Sequence, residues 1–422
     1  MINFLILIIY SFITYSLFKK RNKYTISFIF SLFWFGNIVF SNFFFSGYKL
    51  SIELYLLLLG SSLFIFLGEF FSLNSKVLKV PKSTQESFYS FRKLRAKKIF
   101  LIIFFLAFLY PIFNLMNNGI SLSRLFSLQG LLSANNELAV ARYSGEIKRT
   151  LIAQIFLIFV YLLPLFSGVY FFLARKRKLL FLSLLPSLIV LLTQNTKLVF
   201  IACVLILVSS FLVTNLVFER RLPKFKKKVY ISALTFVFLF YSLFIFSFAA
   251  RMGALNQSAV RSANYKMSSY VAHVPALDIW LLENIETVDR EYELGVKTFF
   301  GVFNTLGIVK REVGIFTDFH YFKSNGRIYG TNIYTIYRYL IQDFGILGSI
   351  LFLFCLGFIF GKIRSLSVHF PNLALSVLSA LVFFVLNSYL SSIFAYMSFI
   401  LSFSLLLFLT KFLSIKKITQ TK

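Results

Sequence analysis

The chain has 422 residues, of which 58% are hydrophobic and 14% charged, and its mean hydropathy is +0.80. A soluble globular domain carries about 25% charged residues, so a water-facing surface for the whole chain is excluded and much of it must meet lipid. The formal net charge of +29 would suit a nucleic-acid partner, but the basic residues sit in short clusters between apolar runs, which argues against nucleic acid and for the positive-inside pattern of cytoplasmic loops.

The opening stretch, MINFLILIIYSFITYSLF, has no basic residue ahead of its apolar core and no small-residue cleavage site, and its charges follow from Lys19 as KKRNK. It reads as a retained first span with the N-terminus outside. Apolar runs able to cross a bilayer, which takes about 20 helical residues, follow near 24–45, 52–71, 99–116, 150–173, 179–194, 197–218, 229–250, 339–361, 372–389 and 392–410. The expected fold is an all-α polytopic integral membrane protein of about eleven transmembrane helices, forming a single membrane-integral domain over 1–422. With the N-terminus outside, the cytoplasmic segments hold roughly 28 Lys and Arg against roughly 3 acids, and the outer segments roughly 16 against roughly 12. The clusters RKRK from Arg175 and RRLPKFKKK from Arg220 then face the cytoplasm, as does the C-terminal KFLSIKKITQTK. Cys203 and Cys355 are too few for a disulfide framework or a cysteine metal site.

Two outer segments stand out, a shorter loop at 117–149 and a long one at 251–338. Loops of the second length are usually functional or disordered. Its apolar content, in YVAHVPALDIWLLENI from Tyr270 and GVKTFFGVFNTLGIV from Gly295, predicts short amphipathic helices that fold back, in place of a disordered linker.

Polar groups at the membrane are costly and each asks for a reason. Arg142, Arg149, Arg251, Arg261, Arg327 and Arg338 lie beside span ends on the outer side, against the charge rule. Taken singly, each snorkels to lipid phosphates or pairs with an acid. Taken together they suggest an anion site, because guanidinium forks match phosphate oxygens. His273 and His320 fall in the long loop, and His369 on the cytoplasmic side. His320 stands two residues after Asp318, and its alternatives are a surface histidine or a general base acting on a sugar hydroxyl. Asn332, Thr335, Arg338 and Asp343 lead into a Gly-spaced apolar helix. Arg338 and Asp343 are five positions apart, about 140° around a helix, so each should find a partner elsewhere. Gly345 and Gly348 would let a neighbouring helix come close. At Gln194-Asn195-Thr196-Lys197 two spans meet with almost no loop, which places Lys197 at the outer surface. The outer segments hold no DxD, HExxH or Cys/His cluster, so no metal ligand set is expected. No P-loop or dinucleotide fingerprint occurs, and no cofactor is expected.

The long outer loop, GVKTFFGVFNTLGI from Gly295 and TNIYTIYRYLIQDFGILGSILF from Thr331 resemble the bacterial oligosaccharide repeat-unit polymerases (the Wzy or O-antigen polymerase family). The turn TQNTKLVFI at Thr193 resembles a basic site those proteins carry between two central spans, with Lys197 where an arginine is frequent. The resemblance implies a GT-C-like membrane glycosyltransferase of the plasma membrane, active on its outer face without nucleotide sugar or metal. Its substrates would be undecaprenyl-pyrophosphate-linked oligosaccharides, polymerised into O-antigen or capsule, and a chain-length regulator is a possible partner. It also implies pyrophosphate binding by Arg142, Arg149, Lys197, Arg251, Arg327 and Arg338. His320 or Asp318 would be the base, and Asn332, Asp343 and His273 substrate or structural residues. An O-antigen ligase-type transferase and a repeat-unit flippase are the alternatives.

Overall fold

The computed structural model describes residues 2–74, 89–91, 93–147, 150–174, 178–194, 196–223, 235, 238–239, 241–249, 257–285, 292–310, 316, 318–332 and 335–416. In chain order the helices are α1 (Ile2–Lys19), α2 (Thr25–Phe44), α3 (Ile52–Asn74), α4 (Lys93–Asn117), α5 (Leu128–Tyr143), α6 (Leu151–Ala174), α7 (Lys178–Gln194) and α8 (Lys197–Glu219). They continue with α9 (Gln257–Val271), α10 (His273–Ile285), α11 (Phe300–Thr305), α12 (Ile336–Leu366), α13 (Pro371–Asn387) and α14 (Met397–Leu413). Strand β1 (Tyr89–Phe91) pairs with β4 (Ser414–Lys416), and β2 (His320–Ser324) pairs with β3 (Arg327–Thr331), both antiparallel.

Six of these helices, α2, α3, α4, α6, α8 and α12, are long and apolar enough to cross a membrane; α1, α7, α13 and α14 contain shorter apolar segments. The protein is therefore an all-α membrane protein by length and composition. Ten of the eleven expected runs coincide with these helices; of the run near 229–250 the structure describes 235, 238–239 and 241–249, all helical. The chain divides into two compact units. Unit 1 comprises Met1–Gln85, Glu219–Leu222 and Ser268–Ile400; unit 2 comprises Glu86–Phe218, Pro223–Met267 and Leu401–Lys422.

In unit 1 the principal pairing is α3 with α12, brought close by glycines. A Cβ on Gly68 would stand 2.1 Å from the Phe354 carbonyl oxygen, and one on Gly357 would stand 2.2 Å from that of Ile65. No larger residue fits, so the two backbones touch as small-residue stripes permit in membranes. One turn on, the fully buried Glu69 carboxylate accepts the backbone N–H groups of Thr25 (2.8 Å) and Ser27 (3.1 Å) and the Ser27 hydroxyl (2.6 Å). An acid from α3 thus caps the N-terminus of α2, whose free N–H groups and dipole favour negative charge. Arg364 of α12 lies 3.9 Å from Glu69 and donates to the Lys23 carbonyl at 2.7 Å.

Within unit 1, α10 and the β2–β3 hairpin pack on α2, α3 and their connection. His273 Nε2 stands 2.9 Å from Asn37 Oδ1 on α2. Asp278 of α10 is buried and accepts from the Ser51 backbone (3.0 Å), the Ser51 hydroxyl and the Tyr48 hydroxyl (3.0 Å), at the start of α3. Burial raises the Tyr48 phenol, which therefore keeps the proton it donates. Short helices are present as expected, α9, α10 and α11, with α10 buried on most sides where an amphipathic helix was expected, but residues 320–331 form a hairpin. Asn325 and Gly326 both take positive φ (50° and 74°), the two-residue turn whose twist matches paired strands. The hairpin's tip rests on the α2–α3 connection, where Asn325 donates to Ser46 and the Gly47 N–H donates to Ser324. Phe322 and Tyr329 pack on Phe45.

In unit 2, α4 packs along α6, and α5, which lies between them in the chain, packs against α7. Asn135 donates to the Leu192 carbonyl at 2.7 Å, while Leu138 and Ala134 close a small core with Leu115 and Ile120. Gly168 lets α6 approach α8: a Cβ there would lie 2.5 Å from the Ser210 hydroxyl oxygen, which donates to the Leu165 carbonyl.

Candidate functional site

Four polar side chains from three parts of the long loop and one helix converge in unit 1. Thr335 caps α12, accepting the Tyr337 N–H, and so places Arg338 in the helix's first turn. Its guanidinium is buried and forks onto the Asp318 carboxylate, with Nη1 to Oδ2 at 2.9 Å and Nη2 to Oδ1 at 3.0 Å. Such a two-point pair fixes orientation as well as charge. The Phe316 ring centre lies 4.0 Å from the guanidinium carbon and that of Trp280 5.5 Å, so the cation is also held by aromatic faces. The hairpin turn sets the register that places His320 opposite Thr331. The imidazole stands between two acids: Nδ1 is 3.3 Å from Glu283 and Nε2 is 3.5 Å from Asp318. Glu283 and Trp280 are three apart on α10 and share a face. Asp318 and Glu283 are half-exposed, His320 much less so.

The helical geometry of α12 separates Arg338 from Asp343, and each has its own partner, as their spacing predicted. Asp343 accepts the backbone N–H groups of Lys297 (3.0 Å) and Thr298 (2.6 Å). It is buried and anchors the segment ahead of α11. Two residues later Gly345 takes φ 69° and ψ −179°, a conformation open only to glycine, and breaks α12. Gly345 thus serves a backbone break, where a close helix contact was expected. A Cβ on it would lie 2.9 Å from the Tyr292 hydroxyl oxygen. Arg327 and Asn332 stand exposed on and just after β3. His273 is buried at the start of α10, on Asn37 and against the Tyr389 ring.

Unit 2 carries a second polar group at the α7–α8 turn. Arg142 at the end of α5 donates to the Gln194 carbonyl and the Thr196 hydroxyl, both at 2.8 Å. Asn114 of α4 donates to the Gln194 side chain at 2.8 Å. Lys197, expected at the outer surface, has its side chain buried within unit 2, with its ammonium 3.7 Å from the Phe248 ring centre. Residues 241–249 are helical, and the aromatic ring they supply covers the turn. Arg149 and Arg251 lie outside the described residues; Arg261 is exposed on α9.

Sequence reasoning singled out His320, Asp318 and Arg338 but missed Glu283, Trp280 and Asp278. Their signal was present: acids inside the apolar stretch VPALDIWLLENI need a partner or a task. Among the described residues no group of three His, Cys, Asp or Glu side chains is placed to hold a metal ion. The two carboxylates at His320 meet opposite ring nitrogens.

The fold and the buried polar groups define an all-α membrane-embedded protein with a charged cluster in its long inter-span segment. No family model, no curated protein and no solved structure matches the chain.

Proposed function

We propose that the protein is a membrane glycosyltransferase that polymerises undecaprenyl-pyrophosphate-linked oligosaccharide repeat units into surface polysaccharide. It would be an eleven-span protein of the plasma membrane with its N-terminus outside, working on the outer face. The observation that carries the reading is the imidazole held between Glu283 and Asp318, with Asp318 fixed by the Arg338 fork. A histidine oriented by carboxylates is a proton acceptor suited to an alcohol. With the N–H of Nδ1 toward Glu283, Nε2 takes the proton of the acceptor sugar's hydroxyl. That oxygen bonds to the anomeric carbon of the growing chain. The bond from this carbon to the pyrophosphate oxygen breaks, and the lipid pyrophosphate leaves with the electron pair.

Charge divides the work. With a neutral imidazole, Arg338, Asp318 and Glu283 leave one net negative charge, which suits a hydroxyl and its departing proton better than a pyrophosphate. Arg338 is then a positioning residue for Asp318. The exposed Arg327 is the phosphate-binding candidate of unit 1, because developing charge on the leaving group needs a fixed cation. Arg142 and Lys197 form a separate cationic group in unit 2.

The test is the surface glycan of cells lacking the gene, complemented with each variant and resolved on a gel. Loss of the chain should leave single repeat units. His320→Gln and Arg327→Ala, expressed normally, should do the same. If Arg327→Ala and Arg338→Ala proteins both made full-length polymer, the reading would be rejected. Long lipid-linked chains that stay unattached would identify a ligase instead.

A further inference from the structure

The hairpin turns one face to unit 1 and the other outward. Inward lie Phe322 and Tyr329, packed on Phe45. By strand alternation the outward face holds Tyr321 and Lys323 of β2, with Ile328 and Gly330 of β3 opposite them. Phe319 and Asn332 extend the same face by one residue on each strand. Two features set this face apart from a solvated hairpin surface. Tyr321 pairs with Gly330, and its ring occupies the space a side chain would fill: a Cβ on Gly330 would stand 2.5 Å from Cε1 and 2.6 Å from Cδ1. The glycine lets the phenol lean across the strand pair. Phe319 then runs nearly parallel to it, with 21° between planes and 6.1 Å between centres. Both rings remain more than half exposed, at 51% and 65%.

We propose that Phe319 and Tyr321 form a stacking platform for a sugar ring of the glycan substrate. Exposed aromatics grouped on a surface usually mark a binding site. The negative face of an aromatic ring attracts weakly positive hydrogens, and the C–H face of a pyranose presents several of these together. The ring's hydroxyls point outward around its edge and need polar partners. The platform has them at its border: the half-exposed Asp318 carboxylate directly precedes Phe319, and the exposed Asn332 follows β3. By the same alternation His320 belongs to the inward face, so a sugar stacked here lies across the strand pair from the proposed base. The platform therefore holds a sugar of the lipid-linked glycan away from the reacting hydroxyl, an assignment that rests on the glycosyltransferase reading.

The rival occupant is the lipid interface, where Tyr and Phe also collect, and leucine separates the two. The double variant Phe319→Leu/Tyr321→Leu keeps the apolar surface and loses the ring faces; Tyr321→Phe keeps both. Full-length protein in phosphatidylethanolamine/phosphatidylglycerol nanodiscs is mixed with the oligosaccharide released by mild acid from the producing cells' own lipid carrier. Saturation-transfer NMR then reports which sugar protons touch protein. Transfer to ring C–H protons is expected for wild type and Tyr321→Phe, with at least a tenfold loss in the double leucine variant. Equal transfer in the double variant, or none in wild type, overturns the platform. So does a wild type that shows no glycan transfer but whose tyrosine fluorescence is quenched by brominated lipid, which marks a membrane anchor. A separate result judges the activity: if glycan transfer is seen but gene deletion leaves polymer length unchanged, the polymerase reading fails and the platform stands.

Discussion

At the residue scale, His320 and Asp278 show how differently two polar groups of one inter-span segment are used. His320 lies between acids at distances longer than a tight hydrogen bond, with its Nε2 buried beside Asp318. We expect His320→Gln to lower polymerisation about 10²-fold or more, read as chain length per unit time at equal protein level; an unchanged rate would remove the base role. Asp278 is saturated by Ser51 and Tyr48 and holds α10 to the start of α3. Burial pushes its carboxyl above the ordinary carboxylate range, against the lowering effect of the bonds from Ser51 and Tyr48. A raised folded-state value means the folded chain holds the proton more tightly than the unfolded one. The stability this contributes is present below the unfolded pKa and is lost as pH rises through the folded one. Asp278→Asn should therefore flatten the fall in thermal stability that wild type shows as pH rises from about 4. Identical slopes in detergent melting curves would contradict this.

Among the elements, α12 has two glycine-dependent features with separable consequences. Gly357 and the facing Gly68 of α3 let backbone meet backbone, so Gly357→Leu must push the helices apart. Overpacking of this kind costs typically about 1–3 kcal/mol, and we expect a lower melting temperature together with less folded protein in the membrane. Gly345 supports no such contact; its φ of 69° breaks the helix between the stretch bearing Arg338 and Asp343 and the long apolar stretch beyond. An alanine there is strained by its backbone and meets Tyr292. Gly345→Ala should disturb the hold of Asp343 on the Lys297 and Thr298 amides while leaving the α3–α12 packing intact. Cross-linking between cysteines at Gly361 and Ser72, where a Cβ on the glycine would stand 3.0 Å from that of the serine, is the control for that packing, and glycan polymer length is the readout.

For the molecule as a whole, orientation is the property to test. In a background lacking Cys203 and Cys355, Lys323→Cys should react with a membrane-impermeant maleimide in spheroplasts. Lys20→Cys, on the far side of α1, should react only after permeabilisation. The reverse pattern would invert the topology and place the His320 cluster in the cytoplasm.

What the sequence determined was set by solvent: basic clusters sorted between apolar runs of about 20 residues define a helical membrane protein, because a helix satisfies its own backbone groups in hydrocarbon and a barrel strand needs only about half that length. It also marked His320, Asp318 and Arg338, since charged groups beside spans are costly enough to stand out. The hairpin was legible too, in Asn325-Gly326 between HYFKS and RIYGT, but helical expectations for an apolar outer segment masked it. Only tertiary structure decided the pairings. Glu283 lies 37 residues from His320, and Asp343 takes amides more than 40 residues away; no periodicity encodes such distances. The burial of Lys197 under Phe248 was equally invisible, because a turn two residues long says where a cation enters a helix and nothing about which ring will cover it.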